Sequence, residues 1–262
     1  MSSWKRLPSV WDEWTRLEMT VKQQHLAVFC DYDGTLAPIA AKPQLAILPA
    51  ETKAALQALS RKRHVTTGIV SGRSLRELRA MVRLRNLLYI GSHGYEVAGP
   101  GKQGASRVSH ALIERLRKLG NALELELRGL RGVWVERKAA GVAVHYRMAR
   151  RRVATHVLRR LAKQHGKHFR VQEGKMVFEF VPTGTITKGS TVRKALKRVK
   201  RHGPCVTLYL GDDLTDETVF AKLGTRDFGI FVGTPRATSA RYSLGSPDEV
   251  RNFLLGLGAI TR

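Results

Sequence analysis

The stretch Phe29–Ala40, FCDYDGTLAPIA, sets two aspartates two positions apart, directly after the apolar run LAVFC (26–30) and ahead of a Gly-Thr turn. A short run with almost no polar residue is the pattern of a parallel strand buried on both faces. Carboxylates at the end of such a strand are drawn out of water, so Asp31 and Asp33 require a cation, a proton or a reaction that uses their charge. Three further features complement them: Ser71 in SGR after HVTTGIV, Lys188 in TKGS, and Asp212, Asp213 and Asp216 in GDDLTDE after CVTLYL. The set supplies carboxylates, a small hydroxyl, a cation and, at Gly34, a turn whose amide can approach an anion closely. That inventory suits moving a phosphoryl group with a magnesium ion. Mg²⁺ takes carboxylate and carbonyl oxygens while retaining waters, and phosphoryl transfer depends on positioning and on neutralising oxygen charge.

These residues need a scaffold that gathers them. HLAVFC, HVTTGIV, NLLYIGSHG and CVTLYL read as short strands, separated by helical patterns such as ETKAALQALSRK, SLRELRAMV (with Ser74 as its cap) and STVRKALKRVK. The alternation predicts an α/β fold, a Rossmann-like open parallel sheet with crossover helices, whose strand ends share one crevice. Between 100 and 183 the rhythm changes to helix, hairpin, helix, hairpin: SHALIERLRKLGNAL, then GVWVERK and GVAVHYR, then MARRRVATHVLRRLAKQHG, then HFRVQ and KMVFEFV turning around Glu173-Gly174. The expected organisation is a discontinuous core (1–99 and 184–262) with an inserted α+β domain (100–183). The glycine-rich stretch 99–104 and Pro182-Thr183-Gly184 are the expected hinges.

The composition is that of a soluble protein apart from its charge, 46 Lys+Arg against 21 Asp+Glu, a net of +25. The segment 100–183 is the most basic, with 19 basic residues against 6 acidic. Such a balance invites phosphate-bearing partners. However, no nucleic-acid motif is present and aromatics are only 7%, so base stacking is poorly supplied and nucleic acid is not the expected partner. RRRVATHVLRRLAK reads as a helix with a solvated basic face, an anion-binding face being the alternative. Cys30 and Cys205 lie in or beside apolar runs and read as buried thiols, not a disulfide. The first 24 residues hold no apolar stretch of signal-peptide or membrane-span length; Trp11, Trp14, Leu17 and Val21 suggest an amphipathic helix. A cytoplasmic location, with no membrane partner, is the expectation.

At DYDGT, SGR, TKGS and GDDLTDE the chain resembles the haloacid dehalogenase superfamily. WVERKAAGVAVHYR, GKMVFEFVPTGTITKG and GSHG narrow the resemblance to the trehalose-6-phosphate phosphatases, from about residue 26 to the end. The resemblance implies Mg²⁺-dependent hydrolysis of trehalose 6-phosphate through an aspartyl-phosphate. Asp31 would be the nucleophile and Asp33 the proton carrier. Ser71 and Gly34 would contact phosphate, and Lys188 would pair with Asp31. Mg²⁺ would be held by Asp31, the Asp33 carbonyl and Asp212, with Asp213 and Asp216 in support. In the inserted domain, sugar contacts would come from Glu136, Lys138, His145, Arg147, Lys175 and Glu179. One departure is Val181, where the resemblance leads one to expect a basic residue before proline. Other readings of the residues are a phosphatase of another glycosyl phosphate (a glycosyl-3-phosphoglycerate or sucrose 6-phosphate) and a basic binding protein on a phosphatase scaffold.

Overall fold

β1 (His25–Asp31) lacks polar alternation because both of its faces are covered. In the computed structural model, which describes residues 7–40, 43–100, 104–106, 108–174, 176–184 and 186–261, Leu26, Val28 and Cys30 enter one core while Ala27 and Phe29 enter another. The chain divides into two compact units, Met1–Ala105 with Ile186–Arg262, and Ser106–Thr185.

The first unit opens with α1 (Trp14–Gln23), followed by β1, α2 (Ala50–Ser60), β2 (Val65–Val70), α3 (Leu75–Val82), β3 (Leu88–Gly91), β4 (Glu96–Ala98) and β5 (Ala105–Ser106). The sheet thus continues past residue 99, which is why the first unit runs to Ala105. The second unit contributes α4 (His110–Glu126), β6 (Trp134–Lys138), β7 (Gly141–His145), α5 (Arg151–His165), β8 (Phe169–Gly174) and β9 (Val177–Pro182). The chain returns to the first unit through α6 (Lys188–Val199), β10 (Cys205–Gly211), α7 (Glu217–Phe220), β11 (Phe228–Val232), β12 (Tyr242–Leu244) and α8 (Pro247–Ile260).

The larger sheet has the order β12-β11-β10-β1-β2-β3-β4-β5, parallel from β12 through β3 and antiparallel at β3–β4. From β1 the chain moves outward through β2 and β3, then returns to β10 on β1's other side and moves outward the opposite way. The order therefore reverses between β1 and β10, the place where open α/β sheets put their ligands. Apolar stripes of α1, α2, α3 and α8 cover one face (Leu17, Leu56, Leu78, Phe253), and α6 and α7 cover the other (Val192, Leu196, Phe220). Trp11 and Trp14 stand edge-on to Phe253, with ring centroids 5.6 and 5.9 Å away, so the N-terminal aromatics pack on α8 as the amphipathic pattern implied. Ser74 caps α3 in a reciprocal box with Glu77, and Cys30 and Cys205 are free thiols.

In the second unit the four strands run antiparallel in the order β6-β7-β9-β8. Val142, Val144, Phe178 and Phe180 point to the side covered by Leu116, Leu119 and Leu123 of α4 and by Leu158 and Leu161 of α5. The two-residue period then sends Trp134, Glu136, Lys138, His145 and Glu179 to the other side. β8 continues through Glu173-Gly174, so the turn follows Gly174, later than the sequence pattern suggested. Lys175 and residues 101–103 of the expected hinge lie outside the described residues.

Candidate active site

Strand register brings the separated motifs together. Asp31, the last residue of β1, pairs with Val70 on β2, so Ser71 lies one step further along the adjacent strand. Cys30 pairs with Leu210 on β10, which places Gly211 and Asp212 beside Asp31 on its other flank. Ser71, Asp31 and Asp212 thus leave the carboxyl ends of three neighbouring strands. Lys188 opens α6, behind a cap in which Thr187 and Ser190 satisfy each other's backbone amides. A cation at a helix N-terminus opposes the helix dipole. Here two carboxylates offset that cost, since Nζ of Lys188 donates to Asp31 Oδ1 and to Asp216 Oδ1, each at 2.8 Å.

Asp216 is fully buried and fully engaged: Oδ1 also accepts from the Tyr209 hydroxyl at 2.6 Å, and Oδ2 accepts from the Asp213 amide at 3.0 Å. Among the supporting aspartates it is the anchor, whereas Asp213 is exposed and turns its carboxylate to the Leu214 amide. Oxygens of Asp31, Asp212 and Asp216 lie within 4.8 Å of one another. Burial pushes the Asp31 carboxyl well above the usual range, Lys188 opposes this, and Asp216 and Asp212 reinforce it. Burial, again joined by Asp216, raises Asp212 to about 7. Burial acts to lower the Lys188 value, but Asp216 and Asp31 outweigh it and leave the ammonium more strongly held than usual.

This donor set fits a divalent cation. Three carboxylates face one ammonium, an excess of negative charge that raises the proton affinity of the first two. Among the described residues, Oδ2 of Asp31 and Oδ2 of Asp212 accept no hydrogen bond, while Asp212 Oδ1 accepts from Thr35 at 3.1 Å. Hard, charged oxygens in this number suit Mg²⁺. Gly34 has φ +84°, and a Cβ there would run into Asp212 Oδ2. Glycine therefore allows both the left-handed turn and the approach of the loop to that carboxylate.

Asp33 stands apart from the cluster. Its two oxygens accept from Nε and Nη2 of Arg73, both at 2.6 Å, in a bidentate pair. Arg73 had no assigned role in the sequence reading; its place two residues after Ser71 was the available signal. Ser71 itself is buried, with Oγ accepting from the Arg73 amide at 3.2 Å, and Ser74 serves as the helix cap instead. Thr35 and Tyr209 were also missed: the partner of Thr35 lies 177 positions away, and Tyr209 reads as an ordinary residue of an apolar strand.

On the free side of the smaller sheet, Lys138 donates to Glu179 at 2.7 Å, and His145 Nε2 lies 2.7 Å from Glu136. The hydrogen bond to His145 is the main reason that the Glu136 value is lowered, against partial burial. Trp134 stacks on His145 with centroids 4.7 Å apart and planes 10° from parallel, yet remains half-exposed. It shares the two-residue period with Glu136 and Lys138 and could have been found that way. Arg147 lies past the end of β7, is exposed, and has no ion-pair partner among the described residues. Val181 is buried in β9 opposite Arg170 and contributes no charge.

The trehalose-phosphatase family model matches residues 29–248. The chain belongs to this family. It is similar to the probable trehalose-phosphate phosphatase D of Arabidopsis thaliana, 32% identical over 272 residues, which cover 97% of this chain and 73% of that one. It is also similar to the trehalose-phosphate phosphatase of Mycobacterium ulcerans, 38% identical over 237 residues, 87% of this chain. The match spans 60% of the mycobacterial protein's length. Among solved structures, the C-terminal domain of the Candida albicans trehalose-6-phosphate phosphatase superposes with a TM-score of 0.82 at 23% identity and full coverage of both chains. A haloacid dehalogenase-like hydrolase from Bacteroides thetaiotaomicron superposes with a TM-score of 0.64 at 14% identity, over 88% of this chain and 98% of that one. The trehalose-phosphatase family thus accounts for both the central motifs and the inserted unit, on the fold of the haloacid dehalogenase hydrolases. Among the described residues no helix is long and apolar enough to cross a membrane.

Proposed function

We propose that the protein hydrolyses trehalose 6-phosphate to trehalose and inorganic phosphate through a phosphoaspartate at Asp31. The observation that carries this reading is the buried Asp31–Lys188–Asp216 arrangement beside Asp212, on a chain of the trehalose-phosphatase family. Asp31 and Asp212 would hold Mg²⁺ together with the Asp33 carbonyl, and the ion would supply charge neutralisation at the phosphoryl oxygens.

In the first step a carboxylate oxygen of Asp31 bonds to phosphorus as the bond from phosphorus to the sugar oxygen breaks. Asp33 delivers the proton that the leaving oxygen needs, and Ser71 and the Gly34 amide hold the phosphoryl oxygens. In the second step Asp33 takes a proton from water, whose oxygen bonds to phosphorus while the Asp31–phosphorus linkage breaks. Splitting one slow hydrolysis into two assisted displacements is the gain of a covalent route. Lys188 favours the ionised form of Asp31 and fixes its position, Asp216 and Tyr209 fix Lys188, and Arg73 holds Asp33 in place between turnovers. The free face of the second unit's sheet is inferred to recognise the sugar: charged pairs such as Lys138–Glu179 suit the hydroxyls of a neutral disaccharide, and Trp134 offers a ring face.

The test is phosphate release from a panel of sugar phosphates, with and without Mg²⁺. The expected result is Mg²⁺-dependent release with trehalose 6-phosphate preferred by at least tenfold in kcat/KM. Equal rates on sucrose 6-phosphate or a glycosyl-3-phosphoglycerate would overturn the substrate, and full activity of Asp31→Asn would overturn the chemistry.

A further inference from the structure

The sequence drew attention to the arginine-rich helix α5, but the structure partly neutralises it. Arg160 pairs with Glu126 at 3.0 Å and Arg159 lies 3.5 Å from Glu173. An uncompensated positive row also lies on α6 and the 3₁₀ turn Lys200–His202 after it, in the first unit. No acidic residue occurs between Glu179 and Asp212. Within that span Arg193, Lys194, Lys197, Arg198, Lys200 and Arg201 are all exposed, and none has an ion-pair partner among the described residues. Their spacing of three, four and seven places them in two adjoining rows on the side of α6 opposite Val192 and Leu196, which are buried against the sheet.

Cations in the last turn of a helix gain a little from its dipole, but that interaction reaches only the last turn, and Arg193 and Lys194 lie before it. Nor does the row continue the catalytic crevice. α6 begins with Lys188 at Asp31, and at 1.5 Å per residue Arg201 lies about 20 Å further along the axis. The row also lacks the means for other partners. No exposed large hydrophobic side chain lies between Val153 and Leu214 among the described residues, so the apolar part of an interfacial membrane contact is missing. Nor does any exposed aromatic (Phe, Trp or Tyr) lie between Val153 and Leu214 among the described residues to stack on an unpaired base. What remains is a dense line of charge, six cations over about 12 Å of axis. A nucleic-acid duplex carries roughly seven charges over the same length.

We propose that the exposed face of α6 and of the 3₁₀ turn that continues it (Lys200–His202), from Arg193 to Arg201, binds the phosphate backbone of duplex nucleic acid without reading its sequence. It is a site separate from the catalytic carboxylates. This differs from the sequence-based expectation about nucleic acid because that expectation rested on base-reading motifs, which backbone binding does not need.

The experiment is fluorescence anisotropy of the full chain with a labelled 25-base-pair DNA duplex of arbitrary sequence, from 50 to 200 mM salt. Engagement of all six cations gives a slope of log K against log salt near −5, an affinity loss of about a thousandfold over that range. The triple variant Arg193→Gln, Lys197→Gln, Arg201→Gln should bind with a slope shallower by about 2.7, with phosphatase activity unchanged. The control variant Arg151→Gln, Arg152→Gln, Lys163→Gln on α5 should leave the slope as it is. Equal losses in both variants would mean diffuse charge attraction, and no duplex binding at 50 mM would mean a solvated face; either overturns the proposal. So would binding to phosphatidylserine vesicles that exceeds duplex binding and is lost in the α6 variant.

Discussion

The two units treat charge in opposite ways. In the first, Asp31, Lys188 and Asp216 are almost wholly buried and locked by direct contacts, so their arrangement is set before any substrate arrives. In the second, Glu136, Lys138, His145 and Glu179 lie on the sheet face away from α4 and α5, partly exposed and joined in two pairs. Buried carboxylates acquire altered proton affinity and a need for metal, which is what bond-making chemistry uses. Partly exposed pairs are weak and exchangeable, which suits recognition. Under the proposed function, the reaction would belong to one unit and the choice of sugar to the other.

The sharpest way to break that division is at Asp31. Asp31→Asn should reduce phosphate release on the order of 10⁴-fold or more for every substrate, while thermal unfolding shows a folded protein, since Lys188 keeps Asp216. Next in size, Lys188→Met leaves two buried carboxylates without their cation. It should cost about 3–5 kcal/mol in urea unfolding, part of which added Mg²⁺ should restore. An unchanged midpoint would show that the carboxylates are not locked by charge. A smaller effect is expected on the open face: Trp134→Ala or Glu179→Gln should raise KM for trehalose 6-phosphate about tenfold, roughly 1.4 kcal/mol. Hydrolysis of p-nitrophenyl phosphate should stay the same; an equal loss on both substrates would erase the division of labour.

The smallest effect concerns pH. His145 holds the Glu136 value below the ordinary 4.5, so the stability from this pair is complete above that value and is lost as pH falls through the lowered one. An NMR titration should show Glu136 titrating below the ordinary glutamate value and returning upward in His145→Ala. A Glu136 value unmoved by that substitution would mean that the pair adds nothing.

The parallel sheet and its central motifs were legible in the sequence because doubly buried strands show as unbroken apolar runs, and because polar residues at their ends are conspicuous. That Ser71 and Asp212 could converge on Asp31 followed from their places at strand ends; that they flank it comes from the strand order of the folded sheet. What stayed hidden were partners joined only by folding: Tyr209 reads as an ordinary strand residue until its hydroxyl is seen on Asp216, and Arg73 reads as a surface arginine until it grips Asp33. The clustered carboxylates could be listed from the motif, but not that Asp216 spends both oxygens on neighbours. In the second unit the strands were legible, but their turn was placed a step early, because Glu173-Gly174 carries turn chemistry while the ladder continues past it.

The pairing of β1 with β10 has a kinetic consequence. These two neighbouring strands of the larger sheet are separated in the chain by the entire second unit. The hydrogen-bond ladder that frames Asp31 therefore cannot close until β10, beyond that unit, has left the ribosome. Closing so long a loop is slow, and contacts of high sequence separation delay folding. If the second unit condenses first, its strands draw their own ends together and shorten the span still to be closed. The inserted sheet would then serve as a clasp during assembly, and the catalytic carboxylates would be among the last groups to find their places.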